Sequence, residues 1–273
     1  MIKLFPKLKN KMLIVMAVLI ALFAVMIIMS PGSLVLGLIL EILAFVVVYF
    51  SQNLVAANMH RQLVNRLYNE MNVEGFLRDY EPMAKVELKN QHLILMVRLH
   101  LSNAYCALGR FDDAIAILDN LNVTQGKPED QLLSRYAIVS NLCFCCQQKG
   151  DIEPARKHLD ELISIRKQLE AMQQSKPEKK RMAFSTTLNE QCMQLLTSGS
   201  ADIPLLKGIV QSSSQQLQRV TTSLWIARAM LAQNNRREAE NILEQIVKLA
   251  PHLYPGKMAK KMLDELPSKN ESK

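Results

Sequence analysis

The chain lacks the groups on which most catalytic chemistry depends. Its 273 residues contain no glycine-rich phosphate loop, no nucleophile elbow and no His-Glu-x-x-His helix. Histidine is limited to His60, His92, His100, His158 and His252, and none has ligand spacing: His92 and His100 lie two helical turns apart, too far for one metal. Acidic pairs such as Asp112-Asp113 suit the first turn of a helix, where the macrodipole favours negative charge. No residue set supports catalysis and no cofactor is implied, so the chain reads as a non-enzyme. Glycine is scarce at nine residues, aromatics make up 5%, and methionine reaches fifteen; with abundant Leu and Ala this points to an all-α protein. Five cysteines are an odd number, with three crowded between Cys143 and Cys146. That usage suits a reducing cytoplasm better than a disulfide framework. The formal charge is +8, but basic residues do not line one face with aromatics, and Trp225 falls in an apolar stretch that reads as core. No nucleic-acid partner is expected.

What the chain does have is two long apolar runs near its start. Met12 to Met29 is apolar without interruption and reaches roughly 27 Å as a helix, close to the thickness of a hydrocarbon core. Ser30-Pro31-Gly32-Ser33 breaks it. Leu34 to Phe50 follows, spanning roughly 25 Å, with Leu54 and Val55 able to extend it. A cleaved signal peptide is the competing reading; it calls for a shorter apolar region and no second one directly after it. With no cysteine near the first run, a lipoprotein anchor is not expected. Lys3, Lys7, Lys9 and Lys11 precede the first run, and Arg61 and Arg66 follow the second. The expectation is a two-helix hairpin with both termini on the cytoplasmic face of the cell membrane. Outside the hairpin the formal excess is about five positive charges, compatible with attraction to membrane lipids. Glu41 is the one ionisable residue at membrane depth. It is either a neutral residue near the packing seam or an intramembrane contact to another membrane protein.

Beyond the runs, helical periodicity recurs in pairs. Gln52 to Met71 and Val73 to Ala84 form an atypical first pair. In the next, Leu101, Ala104, Tyr105 and Leu108 share one helical face, and Ala114, Leu118 and Leu121 share the next. Gly109 supplies the left-handed position between them, and Ala114 is small where the two helices should cross. Leu101, Ala104, Tyr105, Gly109, Phe111, Ala114 and Leu118 together resemble the tetratricopeptide repeat, a helix–turn–helix unit of about 34 residues. Arg98 stands where that family has a bulky aromatic. The pattern returns in Leu142, Cys146, Gly150, Ile152, Ala155, Leu159 and Leu162, and again in Ile226, Ala229, Met230, Asn234, Ala239, Leu243, Ile246 and Pro251. Gly150 follows Gly109 by 41 residues, as Ala155 follows Ala114, so helices or connections are longer than the family's minimum. Asn234 replaces glycine at the third turn, and asparagine tolerates the left-handed region next best. Phe184 to Leu196 with Ile203 to Val210 forms a degenerate pair, and Gln173 to Arg181 reads as an exposed connection.

The expected fold is therefore all-α: an N-terminal transmembrane hairpin followed by a tetratricopeptide-like α-solenoid of about five helical hairpins. Residues 1–11 are a basic N-terminus, 12–50 the hairpin, 51–266 the repeats and 267–273 a polar tail. Cys143 and Cys146 lie one turn apart and could share a metal with His158 or Cys106; alternatively they pack as small hydrophobes.

The resemblance implies a concave surface, lined by the first helices, that binds protein or peptide partners. Arg98, Asn103, Arg135, Asn141 and Arg228 are the candidate contacts there, with the three arginines able to pair with a carboxylate. The expected function is a membrane-anchored scaffold that recruits such partners; the alternative is an accessory or assembly subunit that meets a membrane complex through the hairpin.

Overall fold

The computed structural model describes residues 2–29, 34–119, 121–172 and 176–267. Among them the chain is helical throughout, with no strand. Helices α1 (Pro6–Met29), α2 (Leu34–Tyr68) and α3 (Val73–Ala84) come first. Four hairpins follow: α4 (Gln91–Leu108) with α5 (Phe111–Asp119), α6 (Pro128–Lys149) with α7 (Ile152–Ala171), α8 (Lys176–Ser198) with α9 (Ile203–Ser212), and α10 (Gln216–Ala232) with α11 (Arg236–Leu249). A last helix, α12 (Tyr254–Glu265), ends the array. One expectation changes. The basic stretch expected as a connection is helical from Lys176 onward, with Pro177 in the first turn where its missing N–H does no harm. The second apolar run continues without interruption into the helix after it, giving α2. The expected turn at 30–33 and nearly all of the polar tail lie outside the described residues.

The chain divides into two compact units, Met1–Asn65 with Tyr80–Leu88, and Arg66–Asp79 with Lys89–Lys273. In the first, α1 and α2 are long and apolar enough to cross a membrane. Their apolar side chains point outward on all sides: Ile14 is 64% exposed and Phe50 67%, and Leu22, Val35 and Val47 are also exposed. A helix apolar around its whole circumference has no stable place in water. Glu41 is half-buried within this run. Towards the end of the unit the character changes, with Ala56 and Leu63 buried and His60 hydrogen-bonded to the Tyr80 hydroxyl at 2.9 Å.

In the second unit three of the four hairpins are closed in the same way. Gly109 (φ +81°) and Gly150 (φ +89°) cap α4 and α6 in the left-handed region, and Asn234 (φ +60°) turns the chain after α10. The following amides reach back to the helix, from Arg110 to the Tyr105 carbonyl at 2.9 Å, Asp151 to Cys146 at 2.9 Å and Asn235 to Met230 at 2.8 Å. This six-residue closure satisfies carbonyls the helix end would leave orphaned. Ala114, Ala155 and Ala239 are fully buried at the crossings. There the Ser102 hydroxyl donates to the Ala114 carbonyl at 3.0 Å, and 41 residues on the Cys143 thiol donates to the Ala155 carbonyl at 3.4 Å. The equivalent position before Asn234 is Ala227, also fully buried.

Successive hairpins stack through continuous apolar clusters. Leu95, Leu118, Ile138 and Leu142 join α4, α5 and α6; Val139, Leu162, Leu169 and Met193 join α6, α7 and α8; Leu206, Ile209, Trp225 and Met230 join α9 to α10. Lys149 bridges Asp112 and Asp151, each at 2.9 Å, tying consecutive hairpins at the surface. Helix α12 packs on α10 and α11 and also returns to α4, where the Tyr254 ring meets Phe111 edge-on at 4.8 Å. The array therefore closes back on its own beginning.

That return depends on Gly256, where an added Cβ would lie 1.9 Å from the Ala250 carbonyl oxygen. At Gly150 the space is open and only the positive φ objects. Gly150→Ala should cost about 1–2 kcal/mol of backbone strain. Gly256→Ala, forced to move backbone, should cost as much or more, at or above the roughly 1–3 kcal/mol typical of overpacking. Chemical denaturation of the full chain followed by circular dichroism checks that order; equal midpoints for Gly256→Ala and wild type would contradict it.

Candidate functional site

The first helices of the repeats, with α12 beside them, line a partly open cavity of about 350 Å³. Helices α4, α6, α8 and α10 all contribute to its wall, α12 contributes Tyr254 and Pro255, and the end of α2 contributes Tyr68. The inward direction of these helices is set by the alanine crossings, which turn the opposite faces of α4, α6 and α10 against their partners. No Asp, Glu, Lys, Arg or His lines the wall among the described residues. The wall is instead neutral and rich in amides and hydroxyls.

Hydrogen bonds lock much of this polar lining. Asn103 donates to the Tyr68 hydroxyl at 2.8 Å, which also meets His100 Nδ1 at 3.0 Å. Between α6 and α8 the Ser140 and Ser185 hydroxyls lie 2.5 Å apart, and the Gln147 amide donates to the Asn189 carbonyl at 2.8 Å. The Tyr254 hydroxyl donates to the backbone carbonyl of Gln148 at 3.3 Å. Some groups are left over. Both side-chain polar atoms of Gln148 and Oδ1 of Asn189 are buried without a partner, although these residues are only 6% and 2% exposed.

Of the five expected contacts, the structure brings two to the cavity. Asn103 and Asn141 line it. Arg228 stands beside it, its guanidinium 4.7 Å over the Trp225 ring and 3.5 Å from the Tyr254 hydroxyl. Arg98 and Arg135 do not line the cavity. Arg98 donates to the Ile117 carbonyl on α5 at 3.3 Å, and Arg135 is paired with Glu161 on α7 at 2.6 Å. Arg98 and Arg135 are thus engaged with second helices, while the cavity lining itself carries no ionised side chain among the described residues. Gln148, Asn189 and Tyr254 were not singled out from the sequence. A signal for Gln148 was present, because it falls two residues before Gly150, where Ala107 precedes Gly109 and Ala232 precedes Asn234. A glutamine in that register is a polar outlier at a packing position.

Trp225 is core, as expected, at 1% exposure. The five cysteines are all free and buried, and no cluster of three described His, Cys, Asp or Glu residues could hold a metal. Cys145 occupies the register of Ala104 and Ala229, and all three are buried, so it fills a position that demands a small side chain. The His158 ring is held below its ordinary pKa by burial, and its Nδ1 has no partner.

One comparison with known proteins bears on this geometry. Residues 222–252 match the family model of the tetratricopeptide repeat. The matched stretch carries the Asn234 turn and the Ala239 crossing, the same devices found at Gly109 with Ala114 and at Gly150 with Ala155. The repeats are tetratricopeptide-like, and such repeats build protein-interaction scaffolds. No curated protein and no solved structure matches the chain.

The buried thiols make alkaline stability a readout of this packing. Burial pushes Cys146 up to about 11 and raises Cys143 and Cys192; Cys106 is raised first by its hydrogen bond with Cys145 and then by burial. Each folded value lies above the unfolded one, so the folded state is disfavoured once the unfolded thiols ionise near pH 8.5. Thermal unfolding midpoints should hold below about pH 8.5 and fall towards pH 11, with a shallower fall in Cys146→Ala. An unaltered slope in that variant would show that the thiol does not contribute.

Proposed function

We propose that the protein is a membrane-anchored, tetratricopeptide-like scaffold that holds protein partners at the cytoplasmic face of the cell membrane. The observation that supports this reading is the combination, in one chain, of two helices with stretches long and apolar enough to cross a membrane and repeats of a protein-binding class. Anchoring confines the binding face to the membrane surface and raises the effective concentration of a partner for membrane-bound clients. The division into a basic segment (1–11), a spanning hairpin (12–50), repeats (51–266) and a tail belongs to this proposal. So does the topology, which rests on Lys3, Lys7, Lys9 and Lys11 before the hairpin and Arg61 and Arg66 after it. Asn103 and Asn141 are the partner contacts retained from the sequence, with Arg228 at the rim. Glu41 gives the hairpin one polar group able to hydrogen-bond another membrane protein, as an accessory subunit would need.

Two measurements test this. After expression in cells, the full chain should stay with the membrane pellet through alkaline carbonate extraction; release into the supernatant would sink the anchoring. Proximity labelling from the C-terminus in intact cells should then mark cytoplasmic proteins. The labelled set should shrink at least severalfold with Asn103→Asp and Asn141→Asp together, since a charge in a neutral wall is costly. A set unchanged by the double variant would remove the concave face from recruitment.

A further inference from the structure

We infer that this cavity is a binding site for an uncharged ligand bearing a carboxamide or peptide group, with Gln148 as its principal contact. The inference rests on the proposed reading of the concave face as the binding face, and it assigns the chemistry that face selects. Three observations carry it.

The first is size. A cavity of about 350 Å³ falls at the lower end of the roughly 300–1,000 Å³ taken by small-ligand sites. The second is neutrality: the wall contains no ionised side chain among the described residues. A charged ligand would lose its hydration there with no opposite charge in return.

The third is Gln148 itself. Its carboxamide is packed into the wall with neither its N–H donors nor its oxygen engaged. Leaving buried polar groups unpaired is costly and uncommon in folded proteins. The fold does not require an amide here, since the same register is filled by Ala107 and Ala232, and Ala107 lines the cavity too. A glutamine retained at such a cost at the cavity wall suits a ligand that supplies one acceptor and one donor, the complement of its own pair. A carboxamide or a peptide unit offers both. The lone oxygen of Asn189 and the oxygens of Asn103 and Asn141 add acceptors around it, from three different helices. The contact requires the Gln148 side chain to rotate, because its amide atoms are buried in the wall. Tyr254 and Pro255 on α12 form the cover, and the Tyr254 bond to the Gln148 carbonyl ties cover to contact.

The test uses the full chain in lipid nanodiscs and three capped probes. N-acetyl-asparagine methylamide is the neutral probe, N-acetyl-aspartate methylamide its charged isostere, and a capped hexapeptide with asparagine at its centre represents a segment of a protein. Isothermal titration should show saturable binding of the neutral probe at least tenfold tighter than the aspartate probe. Gln148→Met keeps the side-chain length and removes the hydrogen-bonding atoms. It should weaken binding at least tenfold while leaving the thermal midpoint unchanged or raised, because an orphaned amide is gone. Tighter binding of the hexapeptide than of the single residue would assign the site to a protein segment; the reverse would assign it to a free small amide. Equal affinity for the neutral and charged probes, unaltered affinity in Gln148→Met, or no saturable binding of any probe would overturn the inference. Proximity labelling with Gln148→Met separates the two readings. Partners that are retained while probe binding fails leave recruitment standing and refute the cavity's part in it.

Discussion

The close crossing of two helices at an alanine is the constraint from which the rest of the repeat unit follows. At Ala114, Ala155 and Ala239 there is no room for a larger side chain, so the paired helices sit at a fixed separation with a fixed rotation. Ser102 and Cys143 use that proximity to donate across to the partner backbone. Once the rotation is set, the opposite faces of α4, α6 and α10 must look the same way. A stack of such hairpins then has an inner surface, whatever its side chains are. The left-handed residues at Gly109, Gly150 and Asn234 serve this geometry by closing one helix within a residue or two of the start of the next.

The inner and outer surfaces differ in kind. Ion pairs such as Arg135 with Glu161 and Lys149 with Asp112 lie between neighbouring helices at the surface, where solvent screens them and each contributes little. Inside, the described lining carries dipoles and no ionised side chain. Amides and hydroxyls leave a charged group there without an opposite charge. The return of α12 to α4 narrows the inner surface into a cavity and raises the cost of every buried hydrogen bond left unmade.

Much of the fold was legible from residue patterns. The 41-residue recurrence of glycine and alanine, the asparagine substituting for glycine and the two apolar runs all reflect local rules of backbone conformation and helix periodicity. The cysteine cluster, ambiguous in sequence between ligation and packing, is explained by register: Cys143 matches Ser102 and Ala227, and Cys145 matches Ala104 and Ala229. The arginines show a complementary ambiguity. A polar residue on a first helix may face the cavity or the neighbouring second helix, and a shift of one or two positions decides which. Arg98 and Arg135 fall on the side that meets α5 and α7.

What the sequence by itself determined is the kind of unit and its repetition, because helix formation, turn closure and close crossing are settled within about forty residues. It also marked two segments as long and apolar enough to cross a membrane. Closure of the array was decided only by the tertiary structure. The contact of Tyr254 with Phe111 spans well over a hundred residues of chain, and no local pattern encodes how the small rotations between hairpins accumulate. The same accumulation placed Gln148 at the cavity wall, a polar residue in a register that Ala107 and Ala232 fill elsewhere.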